Sequence, residues 1–174
     1  MITYIKGRLI EKTPTKIVVE SNGIGYEINI SLNTFSEISD GESIKLYTHL
    51  QVKEDAHILF GFHTVIERSV FRLLISVSGI GTSIARTMLS SLKPSQIQKA
   101  ILNEDLQKIK GIKGIGLKTA QRVIIELKDK IRSLSGDDEI PSLESNTIKD
   151  EALSALEVLG YSRRSSENVI DNLI

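Results

Sequence analysis

The first third of the chain has the hydrophobic pattern of short β-strands. Between Ile24 and Ile30, apolar residues occupy every second position, a spacing that places them on one face of a strand. Four other short segments are rich in β-branched and aromatic residues, and they cover residues 2–9, 16–20, 44–52 and 57–62. Turn sequences separate several of these segments, and Asn22-Gly23 is the strongest short signal for a hairpin. The pattern therefore predicts five closely connected strands.

The pattern changes to helical spacing at Thr64. Thr64 and Glu67 stand at the two ends of a capping-box sequence, and apolar residues then recur every three or four positions to about Arg132. Five short strands linked by tight turns favour a small closed barrel. We therefore predict an α+β protein. A five-stranded OB-fold (oligonucleotide/oligosaccharide-binding) barrel is expected over residues 1–63 and a helical domain over residues 64–133.

The composition changes again after the helical domain. Residues 134–146 are rich in acidic residues and serine and poor in apolar ones, which is typical of a flexible linker. Residues 147–174 return to helical spacing, with Leu153, Leu156 and Leu159 on one stripe. This last segment is predicted to be a small helical domain.

Composition limits the class of protein. The chain has no cysteine, which excludes a disulfide framework and a cysteine-ligated metal site. No apolar stretch approaches the roughly 20 residues of a membrane-spanning helix, and the N-terminus lacks the features of a signal peptide. We therefore expect a cytoplasmic protein that has no contact with a membrane.

The overall charge of zero conceals a strongly basic middle segment. Residues 63–135 hold 13 Lys and Arg against 5 Asp and Glu, a net charge of +8. Residues 1–62 have 6 against 8 and residues 136–174 have 3 against 9, net charges of −2 and −6. Such asymmetry indicates a polyanionic partner for the middle segment, although charge alone leaves a basic surface without a ligand equally open.

One short pattern occurs twice in the basic segment. The copies cover residues 77–85 and 112–120, and each reads Gly-apolar-Gly followed by three residues and then Ala. Both lie between predicted helices. A single Gly-x-Gly is weak evidence, because turns between helices often use glycine. Two copies 35 residues apart with Ala at the same offset indicate a repeated structural unit.

This repeat suits contact with phosphate groups. Two glycines permit a tight turn, and they remove the Cβ atoms that would hold a phosphate away from the backbone. The turn then presents the first N–H groups of the following helix, which lack partners within the helix and attract anions. Such contacts carry no base information. The predicted DNA-backbone contacts are Gly79, Gly81, Thr82, Ser83, Lys113, Gly114, Gly116, Lys118 and Thr119.

The doublet resembles the helix-hairpin-helix motif of proteins that bind DNA without reading its base sequence. Taken with the barrel, the chain resembles the RuvA family of Holliday-junction-recognition subunits over nearly its whole length. The segments that carry the resemblance are residues 2–7, 50–56, 59–62, 114–120 and 159–161. The resemblance implies a non-catalytic protein without a cofactor or a metal site.

The resemblance also implies partners. It implies a homotetramer, possibly paired as an octamer, that holds four-way junctions open during recombination, repair and the SOS response to DNA damage. A hexameric RuvB ATPase would dock on the C-terminal domain, and RuvC resolvase would act in the same pathway. Leu156, Leu159 and Tyr161 would then be motor-binding. Glu54 and Asp55 would form an acidic pin that repels phosphates at the crossover, although an acidic turn is more often plain solvated surface.

The chain departs from the family in two places. Thr82 and Ser83 stand in the first hairpin where a basic residue is common. The family's C-terminal domain has three helices, whereas this chain ends within or just after the second. We therefore expect a shortened or incomplete C-terminal domain, with motor docking in doubt.

Other classes of protein fit less well. A glycosylase of this type needs a catalytic Asp after one hairpin, and a nuclease needs clustered carboxylates for Mg²⁺. The acids of the basic segment suit cap or surface roles, and the histidines lack the spacing of a zinc site. These residues are Glu67, Glu104, Asp105, Glu126 and Asp129, with His49, His57 and His63. A monomeric DNA-repair accessory module that binds duplex remains an open alternative.

Overall fold

The computed structural model describes residues 1–39, 41 and 43–136, and beyond these residues 153, 156, 161, 162, 166 and 169. The chain divides into two compact units, Met1–Ser133 and Leu134–Ile174. The first unit contains a closed five-stranded barrel followed by helices. The predicted α+β class with an N-terminal OB-like barrel is confirmed.

The five strands occur where the sequence pattern predicts them. They are β1 (Tyr4–Lys12), β2 (Lys16–Ser21), β3 (Ile24–Ile30), β4 (Ser43–Val52) and β5 (His57–Phe62). Their order around the barrel is β1-β2-β3-β5-β4, with β1 also paired to β4. The β3–β5 pair is parallel and the others are antiparallel. Asn22 and Gly23 connect β2 to β3 with φ angles of 52° and 81°, as a two-residue hairpin turn requires.

The second half of β3 contributes most of its burial. Ile28 and Ile30 are fully buried in the barrel core, and Tyr26 packs against its edge. Ile24 stands at the start of the same alternating series but is 57% exposed. The reason is its place beside the turn, where the strand extends past the end of the core.

Helix α1 (Leu32–Glu37) lies between β3 and β4 and was not predicted. Its six residues include only two large apolar side chains, Leu32 and Phe35, too few to establish a helical pattern. The helix begins at Ser31, whose hydroxyl accepts a hydrogen bond from the backbone N–H of Thr34. The helix is stabilised by Glu67, which lies more than 30 residues further along the chain.

Helix α2 (Val65–Ile75) begins with half of the predicted capping box. Thr64 accepts a hydrogen bond from the backbone N–H of Glu67. The Glu67 carboxylate is buried, however, and accepts from the hydroxyls of Ser31 at 2.6 Å and Thr34 at 2.7 Å and from the backbone N–H of His63 at 3.3 Å. Burial of a carboxylate requires such partners. The prediction of a cap or surface role is thus corrected, because Glu67 joins α1 to α2.

The remaining helices form the second half of the first unit. They are α3 (Thr82–Ser91), α4 (Pro94–Leu102), α5 (Leu106–Lys110) and α6 (Leu117–Gly136). Their core is continuous with β5 through Phe71, whose ring lies 5.2 Å from that of Phe60 and 4.8 Å from that of Phe62. The barrel and the helices therefore pack as one body. Among the residues that the structure describes, no helix is both long and apolar enough to cross a bilayer.

Candidate nucleic-acid interface

The first glycine of each repeat makes the turn. Gly79 has a φ of +94° and Gly114 a φ of +91°, a region that residues with a Cβ rarely adopt. In each copy the residue that follows donates its backbone N–H to the carbonyl three residues earlier, at 3.0 and 3.1 Å. Those residues, Ile80 and Ile115, are buried in the helical core. The predicted hairpins are therefore present in matching form, and the apolar residue between the two glycines anchors each hairpin in the core.

The second glycine of each repeat begins a helix. The carbonyls of Gly81 and Gly116 accept hydrogen bonds from the backbone N–H groups of Ala85 and Ala120, at 3.0 and 2.9 Å. Both alanines are fully buried, which allows close packing. A Cβ at either glycine would meet no atom within 4 Å, and no side chain caps α3 at Gly81. Neither glycine is needed for packing, so their missing Cβ atoms leave the first-turn N–H groups open to a ligand.

The two hairpins lie side by side. Arg122 of α6 donates from Nη1 to the carbonyl of Ser78 at 3.2 Å. A Cβ on Gly79 would lie 4.0 Å from Oγ1 of Thr119, which stands in the first turn of α6. The structure therefore brings the two sets of predicted DNA-backbone contacts together, although they are 35 residues apart in sequence.

The hairpins differ in charge. Lys113 and Lys118 flank the second hairpin, and both are exposed. The equivalent positions of the first hairpin hold Ser78 and Ser83, which are also exposed. Thr82 is partly buried, and its hydroxyl donates a hydrogen bond to Oε1 of Gln51 on β4 at 3.1 Å. Thr82 thus links the first hairpin to the barrel, a contact that the sequence did not predict.

The acidic turn, residues 53–56, connects β4 to β5. The backbone N–H of Lys53 donates to the carbonyl of Ala56 at 2.8 Å and closes the turn. Glu54 and Asp55 are exposed at its tip. Gln51 stands two residues before this turn and bonds to Thr82, so the acidic turn is a neighbour of the first hairpin. No motif marks Gln51 in the sequence, because its role depends on a residue 31 positions away.

The second unit holds the residues predicted to bind a motor. Leu156 and Tyr161 line a hollow of about 220 Å³ together with Ser166 and Val169. The backbone N–H of Tyr161 donates to the carbonyl of Leu156 at 3.0 Å, and the Tyr161 side chain is 62% exposed. Leu159 lies outside the described residues. Two of the three predicted residues therefore share one surface hollow.

The acids of the basic segment have structural partners. Asp105 caps α5 by accepting from the backbone N–H of Lys108 at 3.0 Å. A hydrogen bond from Lys128 and its charge hold the pKa of Glu104 below its ordinary value. The other ion pairs are Glu126 with Arg122 and Asp129 with Arg132, at 3.6 and 3.7 Å. Within the described ranges, no three His, Cys, Asp or Glu residues gather into a possible metal site.

Comparisons with known proteins agree with this arrangement. The family model described as the RuvA N terminal domain matches residues 1–61, and that of the SAM-like helix-hairpin-helix tandem matches residues 71–129. The chain is 60% identical to the Holliday junction branch migration complex subunit RuvA of Christiangramia forsetii, over all of this chain and 90% of that protein. The equivalent subunit of Flavobacterium psychrophilum is 53% identical over the same shares. That of Bacteroides fragilis is 43% identical over 98% of this chain and 89% of its own length. On the strength of these matches along the barrel and both hairpins, the chain belongs to the RuvA family.

Proposed function

We propose that this chain is a non-catalytic subunit that recognises four-way DNA junctions independently of base sequence. The observation that carries the proposal is the series of contacts from the acidic turn to the first hairpin and on to the second. Two hairpins with open N–H groups favour phosphates, whereas the exposed carboxylates of Glu54 and Asp55 disfavour them. A surface with both features distinguishes the arms of a junction from its centre. The relatives' name, a branch migration complex subunit, supports the same function.

The mechanism we propose depends on several copies of the chain. A homotetramer with fourfold symmetry would bring eight carboxylates of Glu54 and Asp55 to the crossover point. A carboxylate near a phosphate is repelled by about 1 kcal/mol in water, and by more where solvent is excluded. The repulsion would keep separating strands apart, while the hairpins hold the arms by their backbones. Two tetramers could enclose the junction as an octamer.

The second unit is the part that we propose binds the motor. Leu156 and Tyr161 present an apolar hollow to which a side chain of a hexameric RuvB ATPase could dock. The ATPase would supply the hydrolysis that drives branch migration, and RuvC resolvase would act on the same junction. We also propose the domain boundaries 1–63, 64–133, 134–146 and 147–174, and a cytoplasmic location.

A monomeric accessory module that binds ordinary duplex is the alternative function. The paired hairpins fit duplex equally well, so they do not separate the two functions. The acidic turn favours the junction, because a plain duplex binder gains nothing from carboxylates beside its hairpin.

The test is a binding titration with a fluorescent four-way junction and with linear duplex of the same sequence. We expect much tighter binding to the junction, little change when the arm sequences are scrambled, and a complex mass that corresponds to four or eight copies of the chain. Equal affinity for duplex with one copy per DNA would favour the accessory module. Strong dependence on arm sequence would contradict both functions.

A further inference from the structure

The first hairpin lacks the charge that the second one has. Lys113 and Lys118 of the second copy are matched by Ser78 and Ser83 in the first. An equal role in binding phosphate therefore requires positive charge from elsewhere. One candidate is Arg86, which stands three residues after Ser83 and so lies on the same face of α3.

Arg86 is fixed against the barrel. Its Nη1 donates to Oδ1 of Asn29 at 2.9 Å and to the carbonyl of Thr15 at 3.4 Å. A guanidinium has five N–H donors in a rigid plane, and these two bonds use one nitrogen. A cation held in this way loses little conformational freedom when it binds an anion.

A groove of about 450 Å³ separates the barrel from the start of α3. We call it the barrel–hairpin groove. Its lining includes the cations Lys16, Lys53 and Arg86 and the carboxylate Glu27, which is paired with Lys16 at 2.8 Å. The net charge of these four side chains is +2. Thr82 and Ser83 of the first hairpin line the same groove, so side chains from the barrel, the acidic turn and α3 converge there.

We propose that the barrel–hairpin groove binds a phosphodiester of the DNA backbone and that Arg86 and Lys53 supply the charge that the first hairpin lacks. This proposal rests on the proposed junction-binding function and deepens it. The groove begins at the acidic turn and ends at the first hairpin, because Lys53 belongs to one and Thr82 to the other. A DNA strand that is repelled by the carboxylates at the tip of the acidic turn would therefore meet Lys53 at the base of the turn and Arg86 in the same groove.

The test is the salt dependence of junction binding by the full chain. Each phosphate contact adds about 0.9 to the slope of log affinity against log salt. Lys53→Gln and Arg86→Gln should each lower the slope by about 0.9 per bound chain, which is about four units for a tetramer, and the double variant should lower it about twice as much. Raising the salt fourfold should then weaken each single variant about threefold less per bound chain than the parent protein. Lys118→Gln is the positive control, and Lys99→Gln, an exposed lysine outside the groove, is the matched control for loss of one charge.

Arg86→Gln also loses two hydrogen bonds, so its result is read beside that of Lys53→Gln. Lys53 is exposed, and its side chain can be changed with little effect on packing. If Lys118→Gln lowers the slope while Lys53→Gln and the double variant match Lys99→Gln, the groove proposal is wrong and the junction-binding function stands. If the parent chain fails to prefer junctions, the function fails and the groove proposal fails with it.

Discussion

At the scale of single residues, the two glycines of each hairpin have different roles. Gly114 is held at a φ of +91°, where a Cβ strains the backbone. Gly116 has open space where its Cβ would be. The sequence pattern assigned the tight turn to both glycines, whereas only the first glycine of each pair has a positive φ. The first glycine is required by the turn, and the missing Cβ of the second leaves space for a ligand.

This difference predicts a separation of stability from binding. Gly114→Ala should lower the free energy of unfolding by about 1–2 kcal/mol, because the φ angle is unfavourable for alanine. Gly116→Val should leave the fold nearly as stable but weaken junction binding, because its side chain would cover the first-turn N–H groups of α6. Urea unfolding and junction titration of both variants measure the two effects. Gly116→Val with unchanged affinity would show that no phosphate approaches this turn.

At the scale of elements, β4 and α2 meet at a group of cations. The ring of His49 on β4 packs against that of Phe71 on α2 in a tilted arrangement, with ring centroids 5.5 Å apart. Burial lowers the pKa of His49, and the charge of Arg72 lowers it further. Burial and the charge of Arg68 also lower the pKa of Arg72. The contact therefore favours the neutral form of His49.

The lowered pKa of His49 predicts loss of stability in acid. The unfolded chain binds a proton here as pH falls below about 6.5, whereas the folded chain resists it. The contribution of His49 to the free energy of unfolding should therefore be fully present above that pH. It should decline as the pH falls from there to the pKa of His49 in the folded chain. Urea unfolding at several pH values checks this for the parent chain and for His49→Gln, which should lose this part of the decline. Parallel pH profiles for the two proteins would contradict the assignment.

Elements were predictable from sequence where their signals are local. The five strands follow from β-branched alternation and turn residues, and the hairpins follow from the repeated glycines. Helix α1 could not be predicted, because the hydroxyls of Ser31 and Thr34 are bound by Glu67, which is more than 30 residues away. The links from Gln51 to Thr82 and from Arg86 to Asn29 also join distant segments, so no local pattern reports them.

At the scale of the whole molecule, the proposed function depends on the position of the acidic turn beside the two hairpins more than on any one contact. In the proposed function, the hairpins contact the DNA backbone whatever its shape, and the acidic turn beside them contributes nothing to the binding of ordinary duplex. Under the proposed function, selectivity for a junction comes from the repulsion of phosphates by the acidic turn and not from an additional attraction. The acidic turn is therefore the feature on which the proposed function depends most.

The most direct measurement is a titration of Glu54→Gln/Asp55→Asn against both a four-way junction and linear duplex, with and without Mg²⁺. Glu11→Gln, which removes one exposed carboxylate on β1, is the control for a loss of negative charge elsewhere on the barrel. We expect the double variant to bind the junction as tightly as the parent chain or more tightly, and to gain more affinity for duplex. The ratio of the two affinities should fall, in both the presence and absence of Mg²⁺. A ratio equal to that of the parent chain and of Glu11→Gln would contradict the role of the acidic turn.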